Sequence, residues 1–327
     1  MPRSCTGPVC IGSVGELLVE FICAEKDQRH LHPAPYVGPF PSGAPGIFID
    51  QAARIAKPLG GRAVFAGAVG DDAFGTVLLQ RLQADGVGPG LIRVIRGVPT
   101  GTAHVGYNSD GSRDFVFNMA HSAAAHLPSG AEIEAGFLAA GITVLHISGS
   151  MLGNASMRAA AVDICQRLHA RGVTISLDPN IRTELLTDRA YLDAVTLFMG
   201  LASYVLPSDA DADILFPGQP FETWSAHLMT RGTRAVVLKR GDKGCIARDA
   251  SATVTLPAHP VTVVDPTGAG DCFCATFVTL MASGLPLAEA LAHGNAAGAL
   301  AVGKLGPMEG NSSMAEIAAF LKHPTGA

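Results

Sequence analysis

The sequence predicts an α/β protein: a central, mostly parallel sheet with helices on both faces and a small β lid. Three observations carry this. Short β-rich runs alternate with longer amphipathic stretches along most of the 327 residues, the pattern of parallel strands joined by crossover helices. Several of the runs, such as RAVFAGAV (62–69) after its first residue and AVVLK (235–239) before its last, are continuously apolar, as strands covered on both faces must be. One segment, TAHVGYNSDGSRDFVF (102–117), alternates instead with period two about Asp110-Gly111, which reads as an antiparallel hairpin.

Taken in order, strands are expected over 10–22 with a break at Gly15, then over 62–69, 142–148, 173–178, 203–207 and 235–239. Helices are expected near 47–58, 72–85, 155–171, 189–201, 271–283 and 287–303. The Pro- and Gly-rich run HLHPAPYVGPFPSGAPG (30–46) interrupts the alternation just before the first helix. A hairpin has no natural place in a parallel core. The two irregular segments therefore read as a projecting flap, built from about 17–43 and 98–121. With no internal repeat and no low-complexity linker, residues 1–327 read as a single domain.

Hydrophobic residues make up 48% of the chain and mean hydropathy is +0.31, enough to bury a sizeable core. The net charge of −5 and pI near 6.1 argue against a general nucleic-acid binder, which needs a basic surface to displace counterions. The uncharged stretch 135–157 contains His146, Ser148, Ser150 and Asn154. It reads as helix end, strand and loop rather than a membrane span. Glu16 and Glu20 come too early for a signal-peptide core, so a cytoplasmic protein with no membrane partner is expected. The seven cysteines show neither CxxC pairs nor zinc spacing, which points to reduced, buried thiols.

The chemistry concentrates in VVDPTGAGDCF (263–273), where Gly268, Ala269 and Gly270 stand between Asp265 and Asp271 ahead of a helical run. Small residues at a helix start let backbone N–H groups converge on an anion, and the helix dipole adds positive potential. A carboxylate there stays ionised and able to accept a proton. Asp271 is thus a candidate general base beside an anion hole, the arrangement phosphoryl transfer needs. An ordinary capped helix start would also account for a generic Gly-x-Gly. The two flanking acids and the position late in an α/β chain favour the catalytic reading. No Gly-Lys-Ser/Thr follows, so this is not a Walker A loop. GSVGE near residue 12 lacks the dinucleotide fingerprint, which disfavours a Rossmann oxidoreductase.

DPTGAGD (265–271) resembles the signature of the ribokinase-like, or PfkB, carbohydrate kinases. GAVGDDAFG (67–75) is similar to the family's N-terminal signature, SLDPNIR (176–182) to its fructokinase-type segment, and LKRGDKG (238–244) to its nucleotide strand and turn. The matches fall in order over about residues 10–310. The resemblance implies a ribokinase-like fold and an ATP-dependent sugar kinase. It makes Asp271 the base, Gly268, Ala269 and Gly270 the anion hole, and Arg182 a cation near phosphates or substrate. Glu20 falls where a sugar-binding Asp is usual, and Ser42-Gly43 where the family has Gly-Gly against the sugar. Lys239, Gly241, Gly244, Thr267 and Asn295 match the nucleotide pocket. Asp265 matches a position tied to monovalent cations such as K+ and to loop ordering. The family's Asn-x-x-Glu near magnesium is replaced by Ser208 and Asp211, so Mg2+ is expected to ride on the ATP phosphates with few protein ligands.

The sugar is expected against Glu20, Asp50, Arg113, His121 and Asn180. Asp50 is the telling one, because an acid in the apolar helix GIFIDQAARIA needs a partner. Segments 38–51 and 110–123 look like the branch of tagatose and fructose kinases. A ketohexose is the first expectation, 2-keto-3-deoxygluconate the second because Arg113 suits an acid sugar, and ribose the third. A non-catalytic nucleotide or sugar sensor on the same fold is the rival from another class. A homodimer through the lid is compatible with an exposed sheet edge and is not required by it.

Overall fold

A computed structural model describes residues 8–322 apart from Arg182. The chain opens with β1 (Cys10–Val14), β2 (Leu18–Cys23), β3 (Tyr36–Ser42), α1 (Ala44–Ala56), β4 (Arg62–Gly70), α2 (Ala73–Asp85) and β5 (Val87–Ile95). It continues with β6 (Gly101–Tyr107), β7 (Arg113–Asn118), α3 (Gly130–Ala139), β8 (Val144–Ser148), α4 (Ala155–Ala170), β9 (Thr174–Asp178) and α5 (Arg189–Leu201). The last third holds β10 (Tyr204–Val205), α6 (Asp209–Leu215), α7 (Phe221–Thr230), β11 (Ala235–Lys239), β12 (Cys245–Asp249), β13 (Thr253–Leu256), α8 (Ala269–Ala282), α9 (Leu287–Ala301) and α10 (Met314–Lys322).

Among the described residues nine strands form one sheet in the order β13-β12-β11-β10-β9-β8-β1-β4-β5. It is parallel from β11 to β5, and β12 and β13 add an antiparallel edge. Its two faces carry separate cores. Phe48, Leu78, Phe277 and Leu291 from α1, α2, α8 and α9 pack on one. Phe137, Ile164, Phe198 and Trp224 from α3, α4, α5 and α7 pack on the other. Each such fully buried side chain contributes about 2 kcal/mol of apolar transfer energy. The six described cysteines are buried and free of disulfides, and no helix among the described residues is long and apolar enough to cross a membrane.

A second sheet of four strands, β3-β2-β6-β7, forms the lid. The run expected over 10–22 does break at Gly15, and its halves join different sheets: β1 is central in the large one and β2 in the lid. The hairpin at Asp110-Gly111 is present as β6 and β7. The Pro-rich run instead supplies a strand, β3, at the lid's edge, where prolines such as Pro39 and Pro41 are tolerated. Asp72 ties the lid to the body. It caps α2 through the Gly75 N–H (2.8 Å) and also accepts from the Thr100 N–H (2.8 Å) and hydroxyl (2.7 Å), just before β6 begins.

Candidate active site

Glu16, Ser150 and Asn180 follow the C-terminal ends of β1, β8 and β9, three adjacent strands. Open parallel sheets bind their ligands at such ends. The lid contributes Glu20 and Ser42 from β2 and β3, and Arg113, Phe115 and Phe117 from β7. Pro266, Thr267, Gly268 and Asp271 close the remaining side. Together they line a cleft of about 590 Å³, the size of a small-molecule site.

Two glycines shape its floor. Gly43 (φ 103°) precedes α1 with its backbone pressed on that of Glu16, and a Cβ there would lie 2.6 Å from the Glu16 carbonyl oxygen. Gly268 (φ 82°) is the N-cap of α8, where a Cβ would lie 2.5 Å from the Pro307 carbonyl oxygen. Both conformations strain any other residue. No side chain caps α8, so the first turn of that helix presents backbone amides and Asp271 together at the cleft, an electropositive cradle with an acid on its rim.

Glu20 is buried. Its Oε2 accepts the Ser42 hydroxyl at 3.1 Å, while Oε1 is buried with no hydrogen-bond partner. Burial above all, then the negative charge of Asp265, pushes this carboxyl up to about 7, against the Ser42 hydrogen bond and the Arg113 charge. Arg113 donates to Thr267 Oγ1 at 3.1 Å and lies over the Phe115 ring. Asn180 adopts φ 39° at the cleft wall, in the turn that Ile181 N–H pins to Asp211 Oδ1 at 2.7 Å. Asp271, Gly268, Glu20, Ser42, Gly43, Arg113, Asn180 and Thr267 are therefore brought together at one cleft, with Ala269 and Gly270 between Gly268 and Asp271.

Other expected site residues lie elsewhere. Asp50 is completely buried behind Ile47, which takes the cleft-facing position on α1. Its carboxylate accepts from Asn311 Nδ2 at 2.6 Å and pairs with Arg54 and Arg81 at 3.5 Å, and both arginines also pair with Asp85. Burial, then a hydrogen bond that its protonated carboxyl donates to Asp85, pushes it up to about 7. Its partner is thus an internal ionic cluster rather than a sugar. His121 lines an adjoining depression of about 520 Å³ with Asp72 and Phe74, across the segment Phe117–Ala120 from the cleft.

Asp211, expected near the metal, is spent on backbone. It forms a capping box with Ser208 and accepts from Ile181. Asp265 Oδ1 accepts from the Thr267 N–H (2.8 Å) and the Tyr107 hydroxyl (2.5 Å), and Oδ2 from the Gly306 N–H (2.9 Å). It orders the loop through these bonds. No group of three or more His, Cys, Asp or Glu among the described residues could hold a metal ion.

Lys239 is ion-paired with buried Asp178 and also donates to Cys274 Sγ at 3.4 Å. Its ammonium lies directly under the anion-hole loop, 3.6 Å from where a Cβ of Gly270 would stand. Gly241 and Gly244 form the turn after β11, and Asn295 donates from α9 to the Pro257 carbonyl at 2.8 Å beside that turn. These three sit outside the acid-lined cleft. Arg182 lies outside the described residues. Sequence reasoning missed Glu16, Ser150, Asn154 and Glu184, which all line the cleft, with Ser150 donating to Glu16 at 2.7 Å. The signal available for two of them was a polar residue within two positions of an apolar strand's C-terminal end.

Residues 13–314 match the model of the pfkB family carbohydrate kinases. The chain is 30% identical to the 2-dehydro-3-deoxygluconokinase of Bacillus subtilis (strain 168), over 94% of this chain and 94% of that protein. It is 31% identical to Fructokinase-2 of Zea mays, over 90% and 88%. Among solved structures, a candidate Ribokinase II from E. coli in complex with ATP and Mg2+ superposes with a TM-score of 0.88 at 37% identity, covering 96% of this chain and 99% of that one.

Proposed function

The chain belongs to the pfkB family of carbohydrate kinases and is a sugar kinase; from that premise we propose that it transfers the terminal phosphate of ATP to a primary hydroxyl of a ketohexose, fructose or tagatose. The observation that carries the substrate is the charge of the cleft. Three carboxylates, Glu16, Glu184 and Asp271, together with Glu20, whose carboxyl titrates near 7, line the cleft with one described cation, Arg113, whose guanidinium already holds Thr267. A neutral polyol offers hydroxyl donors to such a wall. An acid sugar would meet repulsion there.

In this reading the hydroxyl approaches Asp271, which takes its proton as the oxygen attacks the terminal phosphorus. The new O–P bond forms while the bond to the β-phosphate oxygen breaks, and ADP leaves. The amides of 268–270 would meet the charge that grows on the transferred group. Mg2+ carried on the phosphates would neutralise donor charge. Glu20 Oε1, buried and unpartnered, would accept a sugar hydroxyl, and Phe115 and Phe117 would cover the ring's apolar face and exclude water.

Arg113 favours a second reading, 2-dehydro-3-deoxygluconate, which would pair its carboxylate with the guanidinium. ADP release measured with fructose, tagatose, 2-dehydro-3-deoxygluconate and ribose decides between them. The highest kcat/KM on a ketohexose is expected, and a preference for the acid sugar of tenfold or more overturns the first reading in favour of the second.

A further inference from the structure

The lid touches the loop before Gly268 through a pair of residues, Tyr107 and Arg113, of which the kinase reading does not use Tyr107. Tyr107 ends β6 and Arg113 begins β7, and the two are cross-strand partners in the lid. Both reach the same three-residue stretch. The Tyr107 hydroxyl donates to Asp265 Oδ1 at 2.5 Å and lies 3.4 Å from Thr267 Oγ1, which also accepts from Arg113 Nη1 at 3.1 Å. Asp265 is completely buried and gathers the loop's own Thr267 N–H and the Gly306 N–H. Gly306 in turn lies under Phe40 of β3, so that a Cβ on it would stand 2.6 Å from that ring. Two of the lid's four strands therefore bear on the segment that leads into Gly268, and a third, β3, bears on Gly306, whose amide Asp265 holds.

We propose that Tyr107 and Arg113 form a latch that couples lid closure over the sugar to the order of the phosphate-holding loop, with Tyr107 as a positioning residue acting through Asp265. Arg113 lines the cleft and grips Thr267 at once. A sugar that draws β7 down therefore fixes Thr267, and Asp265 fixed by Tyr107 holds the turn that aims the 268–270 amides. Coupling of this kind is reciprocal: a ligand on the loop tightens the sugar by the factor with which the sugar tightens that ligand. Without sugar the loop loses its outer support, which disfavours transfer of the phosphate to water.

The latch can be cut without removing the structural bonds of Asp265. In Tyr107→Phe the carboxylate keeps the Thr267 and Gly306 amides. Thr267→Val cuts the Arg113 side, together with the longer Tyr107 contact, and keeps the backbone amide that Asp265 holds. The test is calorimetric titration of wild type, both single variants and the double variant with AMP-PNP and Mg2+. Each is titrated alone and with saturating fructose, tagatose or 2-dehydro-3-deoxygluconate. In wild type at least one sugar is expected to tighten AMP-PNP fivefold or more. In Tyr107→Phe that factor falls below twofold, kcat drops about tenfold, and the sugar KM stays within threefold. Thr267→Val lowers the factor in the same direction. The proposal is overturned if no sugar changes AMP-PNP affinity in wild type, or if Tyr107→Phe retains the wild-type factor. The inference rests on the sugar-kinase reading for its ligands, and the substrate assignment fails separately, by the pattern of ADP release from wild type.

Discussion

Ser42 donates its hydroxyl to one oxygen of Glu20 and leaves the other, Oε1, buried at the cleft without a partner. An unmet acceptor in a buried position costs free energy until a donor arrives, so this oxygen can take a hydroxyl of a ligand in the cleft. Glu20 titrates near 7 because burial and Asp265 oppose its charge. The ionised form is the stronger acceptor. We predict that kcat/KM for the sugar falls as pH drops below about 7 and that Glu20→Gln removes this limb while lowering the plateau about tenfold. A pH–rate profile on both proteins checks this; an unchanged limb in the variant would assign the titration to another group.

Asp271→Asn keeps the size of the side chain and removes its basicity. It is expected to lower kcat by 10²–10⁴-fold, on the order of what general bases contribute, while AMP-PNP and sugar still bind within threefold of wild type. Steady-state ADP release and titration calorimetry measure the two quantities.

Asp50 bears on stability rather than on the sugar. Asp50→Leu removes a buried charge shared by Arg54 and Arg81 and also breaks the Asn311 bond. Because Asp85 still pairs with both arginines, the expected loss is about 2–3 kcal/mol, below the usual range for a broken buried pair. Denaturant unfolding gives that figure, and the sugar KM should stay within twofold.

His146 sets an acid limit on stability. It is completely buried in β8, stacked on Phe48 with ring centroids 3.6 Å apart, with Nδ1 3.0 Å from the Ser176 hydroxyl. Burial, reinforced by the Lys239 charge, holds its pKa well below 6.5. The unfolded chain therefore takes up a proton near 6.5 that the folded one refuses. The neutral ring's contribution is complete above that pH and lost as pH falls below it. His146→Gln is expected to reduce the acid-side slope of unfolding free energy by up to about 1.4 kcal/mol per pH unit. Urea titrations at pH 5 and 7 supply the slope.

The sequence was most legible where a local rule held. Continuous apolar runs marked β4 and β11, short β-rich runs marked β8 and β9, and the period-two hairpin marked β6 and β7. It was least legible at edges. β3 hides behind two prolines, which only an edge strand accommodates. The strands β12 and β13, CIARD and TVTL, are too short and polar to stand out. Asp50 was flagged correctly as an acid needing a partner. Of its partners only Arg54 lies one turn away, while Arg81 and Asn311 come from distant segments that no periodicity joins. Glu20, Ser42, Arg113 and Asn180 were found through resemblance, and Glu16 and Ser150 would have needed knowledge of which strands are neighbours.

β1 passes into β2 through only Gly15, Glu16 and Leu17. Glu20, Ser42, Arg113, Phe115 and Phe117 all ride on the smaller sheet, whereas Asp271 belongs to the larger body. In the proposed reading, raising that sheet would carry half of the substrate's grip away from Asp271 in one movement. Unloading a phosphorylated product and disarming the reaction would then be a single mechanical event, with an enzyme ajar enough to release its cargo no longer set to turn over another nucleotide.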